Sequence, residues 1–318
     1  MKRAVASAIL AVLSFNVSAQ QWPAKPMTML VGYPVGGGLD IVARFLAEGL
    51  REKFGQPVVV DNKVGAVGNL AAQAAARAAP DGYTMLFTAN ATHAANPHLF
   101  RNLPFDPVKD FTPVTTLVSL CFVLVVDPVS MPVNSVAELT RYMKANPGKL
   151  SYATGNATGR VAMEMYQSLA GVSAVHIPYK ATPTALNDMI AGRVQLMFID
   201  ATFGLTHVRS GKLRALAVST RNRTASAPNI PTMAEAGVTG FDIGAWFALF
   251  LPANAPREVA QKLADASNAI MGSDKARDLL GRIGADPFPG SPESLAKFVD
   301  SEIAKWGKLV KAAGIEPE

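Results

Sequence analysis

The chain has 318 residues, of which 49% are hydrophobic, 8% aromatic and 17% charged, with one cysteine and a formal net charge of +6. The densest basic patch, His207 to Arg223, has no interleaved aromatics that would stack on bases, which argues against nucleic-acid binding. A single cysteine excludes an internal disulfide, and the length exceeds what one core usually serves, so two domains are expected.

The first 19 residues read as a secretory signal peptide: Lys2 and Arg3, an apolar run from Ala4 to Phe15, and Val17-Ser18-Ala19 as the cleavage site. Removing Lys2 and Arg3 lowers the net charge to +4. No later stretch reaches the roughly 18 apolar residues of a membrane span, so a soluble protein is expected after cleavage near Ala19. No cysteine follows the signal, which argues against a lipid anchor.

An apolar run, Met29-Leu30-Val31, leads through Tyr33, Pro34, Val35 and three glycines (Gly36, Gly37, Gly38) into a helix carrying Ile41, Phe45 and Leu46. A glycine turn of this kind exposes the first N–H groups of the helix at the positive end of its dipole, which suits a carboxylate or phosphate. The spacing is wrong for nucleotides: a dinucleotide fingerprint needs Gly or Ala where Ile41 stands, and a P-loop needs Lys where Gly38 stands. Asp40 is either a ligand contact or a loop-holding carboxylate near a helix start.

Strands are then expected at 57–60 and 83–88, with an alanine-rich helix at 69–79 between them. The third strand opens into a polar loop from Ala89 to Pro97, where Asn90 and Thr92 are either ligand donors at the ligand-binding edge of a parallel sheet or helix-capping residues. A β-branched run, 111–126, crosses to a second series of strand–helix units. Cys121 lies in it, read as a buried strand residue rather than a reactive thiol. Ser135 and Glu138 form a capping-box pattern.

The strand 150–153 leads into Thr154-Gly155-Asn156-Ala157-Thr158-Gly159-Arg160 and a helix, repeating the opening design. Arg160 at a helix start is unfavourable with the dipole unless an anion neutralises it. It either grips a ligand carboxylate or pairs with Glu164. Further strands end at Tyr179-Lys180 and at Asp200; 213–218 and 242–250 are two more, followed by helices at 256–271, 274–283 and 294–313. Phe203 and Trp246 either wall a ligand or belong to the core. The four histidines have no metal-ligand spacing, and no catalytic motif is present, so neither enzyme chemistry, metal nor cofactor is expected. A triad assembled only in space stays open.

The stretches Tyr33 to Asp40, Asp61-Asn62-Lys63, Pro80 to Tyr83, Leu103 to Pro107, His176 to Lys180, Ala191 to Val194 and Gly211 to Ala217 together resemble the periplasmic receptors of tripartite tricarboxylate transporters, the Bug receptors. The resemblance covers essentially the whole mature chain. It implies a two-lobe α/β periplasmic-binding-protein fold of type II, with mostly parallel sheets and a cleft between lobes 20–120 plus 245–318 and 121–244. It also implies a monomeric receptor for a small organic acid, dicarboxylate or aromatic, that delivers to membrane permease subunits. In the family, the loops matching 33–40 and 154–160 grip a ligand carboxylate. Where many members carry His-Leu at the second helix start, this chain has Arg160-Val161. A sensor presenting its closed form to a membrane kinase and a secreted hydrolase are the alternative readings.

Overall fold

The computed structural model describes residues 22–179, 181–312 and 314–317; the expected signal peptide and Lys180 lie outside the described residues. The first strand, β1 (Met27–Val31), is buried, and Gly32 turns it towards α1 (Gly38–Phe54). Helix α1 buries Leu39, Val42, Ala43, Leu46 and Leu50 on one face and ends at Gly55, whose φ of 69° is the left-handed stop that glycine adopts without strain. Next come β2 (Val58–Asn62), α2 (Asn69–Ala76), β3 (Thr84–Ala89), α3 (Asn96–Leu99) and the sixteen-residue β4 (Phe111–Val126).

The second series runs α4 (Val136–Ala145), β5 (Ser151–Thr154), α5 (Ala157–Ala170), β6 (Val175–Pro178), α6 (Thr182–Ile190), β7 (Leu196–Asp200), α7 (Ala201–Arg209) and β8 (Arg214–Val218). The chain closes with β9 (Gly244–Pro252), α8 (Arg257–Met271), α9 (Asp274–Arg282), β10 (Ala285–Pro287) and α10 (Pro292–Ala312). At α4, Ser135 accepts from the Glu138 N–H at 3.1 Å, while Glu138 reaches back to the N–H of Asn134 at 2.7 Å. The sequence signature at 135–138 is therefore a real helix start.

Two strand groups share one plan. The first has the order β2-β1-β3-β9-β4, with β1, β2 and β3 parallel and β9 antiparallel to both neighbours. The second has β6-β5-β7-β4, with β8 also on β4; β5, β6 and β7 are parallel, and β4 is antiparallel to β7 and β8. The sheets are thus more mixed than the expected parallel arrangement. Strands reached by a helical crossover within one group are parallel, whereas β4 and β9, which arrive from the other group, enter from the opposite end.

The register of β4 sets the geometry of the whole molecule. Its residues from Phe111 to Cys121 pair with β9, ending at Cys121 opposite Gly244; from Phe122 onward it pairs with β7, starting opposite Asp200. Ala89, at the end of β3, is level with Phe247, which is opposite Val118. The carboxyl ends of β3 and β7 therefore come level with the middle of one strand. Return passage runs beside it: the Ser219 N–H bonds the Phe122 carbonyl at 2.8 Å, and the Ile243 N–H bonds that of Ser219 at 3.0 Å.

Three apolar clusters fill the faces. One, with α2, α4, α5 and α10, is continuous across both groups through Leu86, Phe250, Phe122, Phe198 and Trp306. The others lie under α1, α8 and α9, and under α6 and α7. Among the described residues no helix is long and apolar enough to cross a membrane.

The sequence reading left out two elements. Helix α7 escapes it because Thr202, Gly204, Thr206 and Val208 are weak helix formers, and Gly204 is kept by packing: a Cβ there would lie 2.6 Å from Ile199 Cγ2. Strand β10 is three residues ending in proline and exists only by pairing with β4.

Backbone contact also holds the first loop in place. A Cβ on Gly32 would stand 2.5 Å from Gly68 Cα, so neither backbone can withdraw cheaply. Gly32→Ala is expected to cost about 1 to 3 kcal/mol by overpacking, read as a lowered denaturation midpoint with an unchanged denaturant slope.

Candidate functional site

The loop after β1 is built around a buried acid. Asp40 is 1% exposed; its Oδ2 accepts from the Gly36 N–H at 2.9 Å and from Arg44 Nε at 2.9 Å, and its Oδ1 from Asn62 Nδ2 at 2.8 Å. Asn62 also donates to the Tyr33 carbonyl at 3.0 Å, closing the loop on β2. Burial pulls the Asp40 pKa up, but the bonds from Arg44, Gly36 and Asn62 outweigh it and hold the carboxyl below its ordinary value. Of the two roles open to Asp40, its bonds are those of the loop-holder: both oxygens are committed inside the chain.

With Asp40 turned inward, the start of α1 is left open. Gly37 is its N-cap and no side chain caps it; Gly36 takes a φ of +80°, and Pro34, Val35 and Gly36 are exposed. The ring of Tyr33 packs towards Gly68, and burial pushes its hydroxyl up to about 12.

The segment after β3 is tighter than an open polar loop. Residues 91–95 wind as a single wide helical turn, with Thr92 and His93 fully buried. Thr92 Oγ1 contacts the Ala89 carbonyl at 3.0 Å, Thr88 Oγ1 at 2.8 Å and His93 Nδ1 at 3.0 Å, so its hydroxyl is used internally. His93 stacks on Phe250 with ring centroids 3.9 Å apart, and burial lowers its pKa to about 3. Asn90 differs: it is 4% exposed, yet its Nδ2 has no hydrogen-bond partner. A buried amide donor without an acceptor is costly and calls for an explanation.

In the second group, the loop after β5 is closed by its own side chains. Asn156 Oδ1 accepts from the Gly159 N–H at 2.8 Å, capping α5, and its Nδ2 donates to Asp200 Oδ2 at 3.0 Å and to Thr182 Oγ1 at 3.2 Å. A Cβ on Gly159 would stand 2.8 Å from the Phe198 carbonyl, which explains that glycine. The cap takes one N–H of this helix start, that of Gly159, and Arg160 adds a side-chain charge beside it. Thr154 is buried with Oγ1 2.7 Å from His176 Nε2, and Thr158 is half-buried.

Arg160 has no ion pair among the described residues, and its Nε is buried without a partner. Its i+4 neighbour Glu164 is engaged elsewhere, accepting from the Tyr152 hydroxyl and from Gln167 Nε2 at 3.2 Å. His176 stacks on Tyr152 at 4.9 Å; burial first and the Arg160 charge second hold its pKa low, with Glu164 opposing. Asp200, at the end of β7, has a raised pKa because burial outweighs the bonds it accepts from its own N–H, Asn156 and Thr182. Thr182 and His176 belong to this cluster; His176 was legible only as part of a sequence stretch, and Thr182 carried no signal.

The remaining sites separate. Trp246 is 3% exposed, donates from Nε1 to Glu302 at 2.9 Å and packs on Phe298, so it sits as a core residue. It edges a groove of about 620 Å³ lined by Thr220, Arg223, Asp286 and Lys305, which contains no residue of the two glycine loops. Tyr179 donates to Asp188 at 2.7 Å, and Phe203 stays 44% exposed on the first turn of α7.

Two α/β lobes threaded by crossing strands, each bringing strand ends and helix starts to the join, are the architecture of a two-lobe solute-binding protein. The model of the tripartite tricarboxylate transporter family receptor, TctC, matches residues 42–315, and the chain belongs to that family. It is 34% identical over 302 residues to BugT of Bordetella pertussis, covering 94% of this chain and 92% of BugT. A solved R. palustris protein with adipate is 36% identical, with a TM-score of 0.79, covering 93% of this chain and all of that one. MatC from Rhodopseudomonas palustris with bound malate is 31% identical, with a TM-score of 0.73, covering 91% of this chain and all of MatC.

Because its folded pKa is depressed, Asp40 stabilises the protein above the ordinary carboxyl value of 3.8, and that contribution fades as pH falls through the lowered value. Asp40→Asn is expected to cost about 1 to 3 kcal/mol at pH 7. The gap to wild type should narrow below pH 3.8, as followed by denaturant titrations at several pH values.

Proposed function

We propose that this chain is a periplasmic receptor that captures a small organic carboxylate between lobes 20–120 plus 245–318 and 121–244, and hands it to the permease subunits of a tripartite transporter. The observation that carries this reading is a pair of buried donors without acceptors, Asn90 Nδ2 in one lobe and Arg160 Nε in the other. Asn90 follows β3, whose Ala89 is level with Val118 in the middle of β4, and Arg160 follows β5, whose Ala153 is level with Met197 opposite Val125 near the end of β4. A carboxylate between them accepts from both, and the uncapped start of α1 adds a third favourable field. Neither lobe alone supplies all three, so binding favours the closed arrangement. Adipate and malate in the related structures support a carboxylate as the ligand class.

Catalysis is not part of the reading. Thr92–His93 and Thr154–His176 each put a hydroxyl beside an imidazole, as a hydrolase requires. Both imidazoles are held with lowered pKa values, by burial at His93 and by burial and Arg160 at His176, and among the described residues no carboxylate is bonded to either ring to complete a triad. The family itself is one of solute receptors.

Arg160→Ala is expected to weaken carboxylate binding by about 2 to 5 kcal/mol, the cost of truncating one partner of a buried charged pair. Calorimetric titration of wild type and variant with adipate and malate tests it; equal affinities would return Arg160 to a surface role. Thermal shift of the wild type by the same acids, with sugars as controls, reads binding to the folded state directly.

A further inference from the structure

Asp200 introduces a negative charge into a loop that receives an anion. It stands at the helix start that carries Arg160: Asn156, the N-cap of α5, donates its side-chain amide to the Asp200 carboxylate at 3.0 Å, and its main-chain carbonyl accepts from the main-chain N–H of Arg160 at 3.3 Å. Yet the two charges form no ion pair with each other, and neither has another ionic partner among the described residues. Both side-chain bonds to Asp200, from Asn156 and from Thr182 at 3.4 Å, fall on Oδ2; no described side chain donates to Oδ1. The carboxylate is only partly exposed, and burial raises its pKa, so the described residues under-compensate it.

An unsubstituted carboxylate satisfies Arg160 but leaves Asp200 with an anion for a neighbour and an Oδ1 to which no described side chain donates. A ligand carrying its own donor beside the carboxylate answers both demands. We propose, resting on the receptor reading above, that the ligand is a hydroxy- or amino-substituted carboxylate whose anionic group pairs with Arg160 and whose O–H or N–H is accepted by Asp200 Oδ1. Asp200 is then a specificity-determining residue that discriminates by the penalty it imposes on acids lacking a donor.

Two matched series test this by calorimetric titration of the full mature protein. One is succinate, malate and aspartate; the other is adipate with its 2-hydroxy and 2-amino counterparts. In at least one series a substituted acid should bind about tenfold or more tighter than its parent, the worth of one charged hydrogen bond. Asp200→Asn should remove most of that preference, chiefly by tightening the parent acid, whose penalty the neutral amide relieves. Parent acids binding as tightly as the substituted ones overturn the inference and leave the receptor reading standing. No binding by any member of either series removes both. Should Asp200→Asn fail to fold, judged by its melting curve, the wild-type ratios decide alone.

Discussion

One strand belongs to two sheets. Sixteen residues of β4 are enough to pair with β9 and β10 in one lobe and to act as the inserted antiparallel strand of the other, and the changeover falls between Cys121 and Phe122. Because hydrogen-bond register fixes every partner strand along it, that changeover brings the ends of β3 and β7 level. Cys121 at the changeover is 3% exposed, and burial pushes its thiol up to about 12, so this position is a packed pivot with an inert sulfur. The second crossing, 219–243, is tied to β4 at the same level through Ser219.

The two loops that frame the join use opposite electrostatic strategies. In the first, the acid is consumed internally: Asp40 organises Gly36, Arg44 and Asn62, and the helix start is left free. In the second, Asn156 caps the helix start at the Gly159 N–H and donates to Asp200, and Arg160 and Asp200 have no ionic partner among the described residues. The first loop thus leaves backbone N–H groups open and the second leaves an arginine. Close backbone packing makes both arrangements rigid: Gly32 against Gly68, and Gly155, where a Cβ would fall 2.2 Å from the Thr182 nitrogen. Pre-set donors of this kind lose little entropy on binding.

Much of the fold was legible because it depends on local pattern. The buried runs at β1, β3, β4 and β9, the amphipathic faces of α1 and α8, and the Ser135 cap all follow from residues near one another in the chain. Helix α7 and strand β10 were not, since Gly204 and Ala285 to Pro287 hold their conformations through contacts with Ile199 and β4. The segment 91–95 was read as a polar loop from its Asn and Thr content, but those groups satisfy one another under the aromatic stack of His93 and Phe250.

The sequence by itself determined the element order apart from α7 and β10, the two strand–turn–helix units and the membership of the receptor family, because glycine turns, caps and hydrophobic period are written in consecutive residues. Only the tertiary structure decided which polar groups remain unclaimed. Asp40, Thr92, Tyr179 and Trp246 were equal candidates with Asn90 and Arg160 as letters in the sequence, and their neighbours from distant segments took up the first four. Asn90 Nδ2 and Arg160 Nε were left without acceptors, since whether a hydrogen-bonding group is satisfied depends on atoms brought from far along the chain.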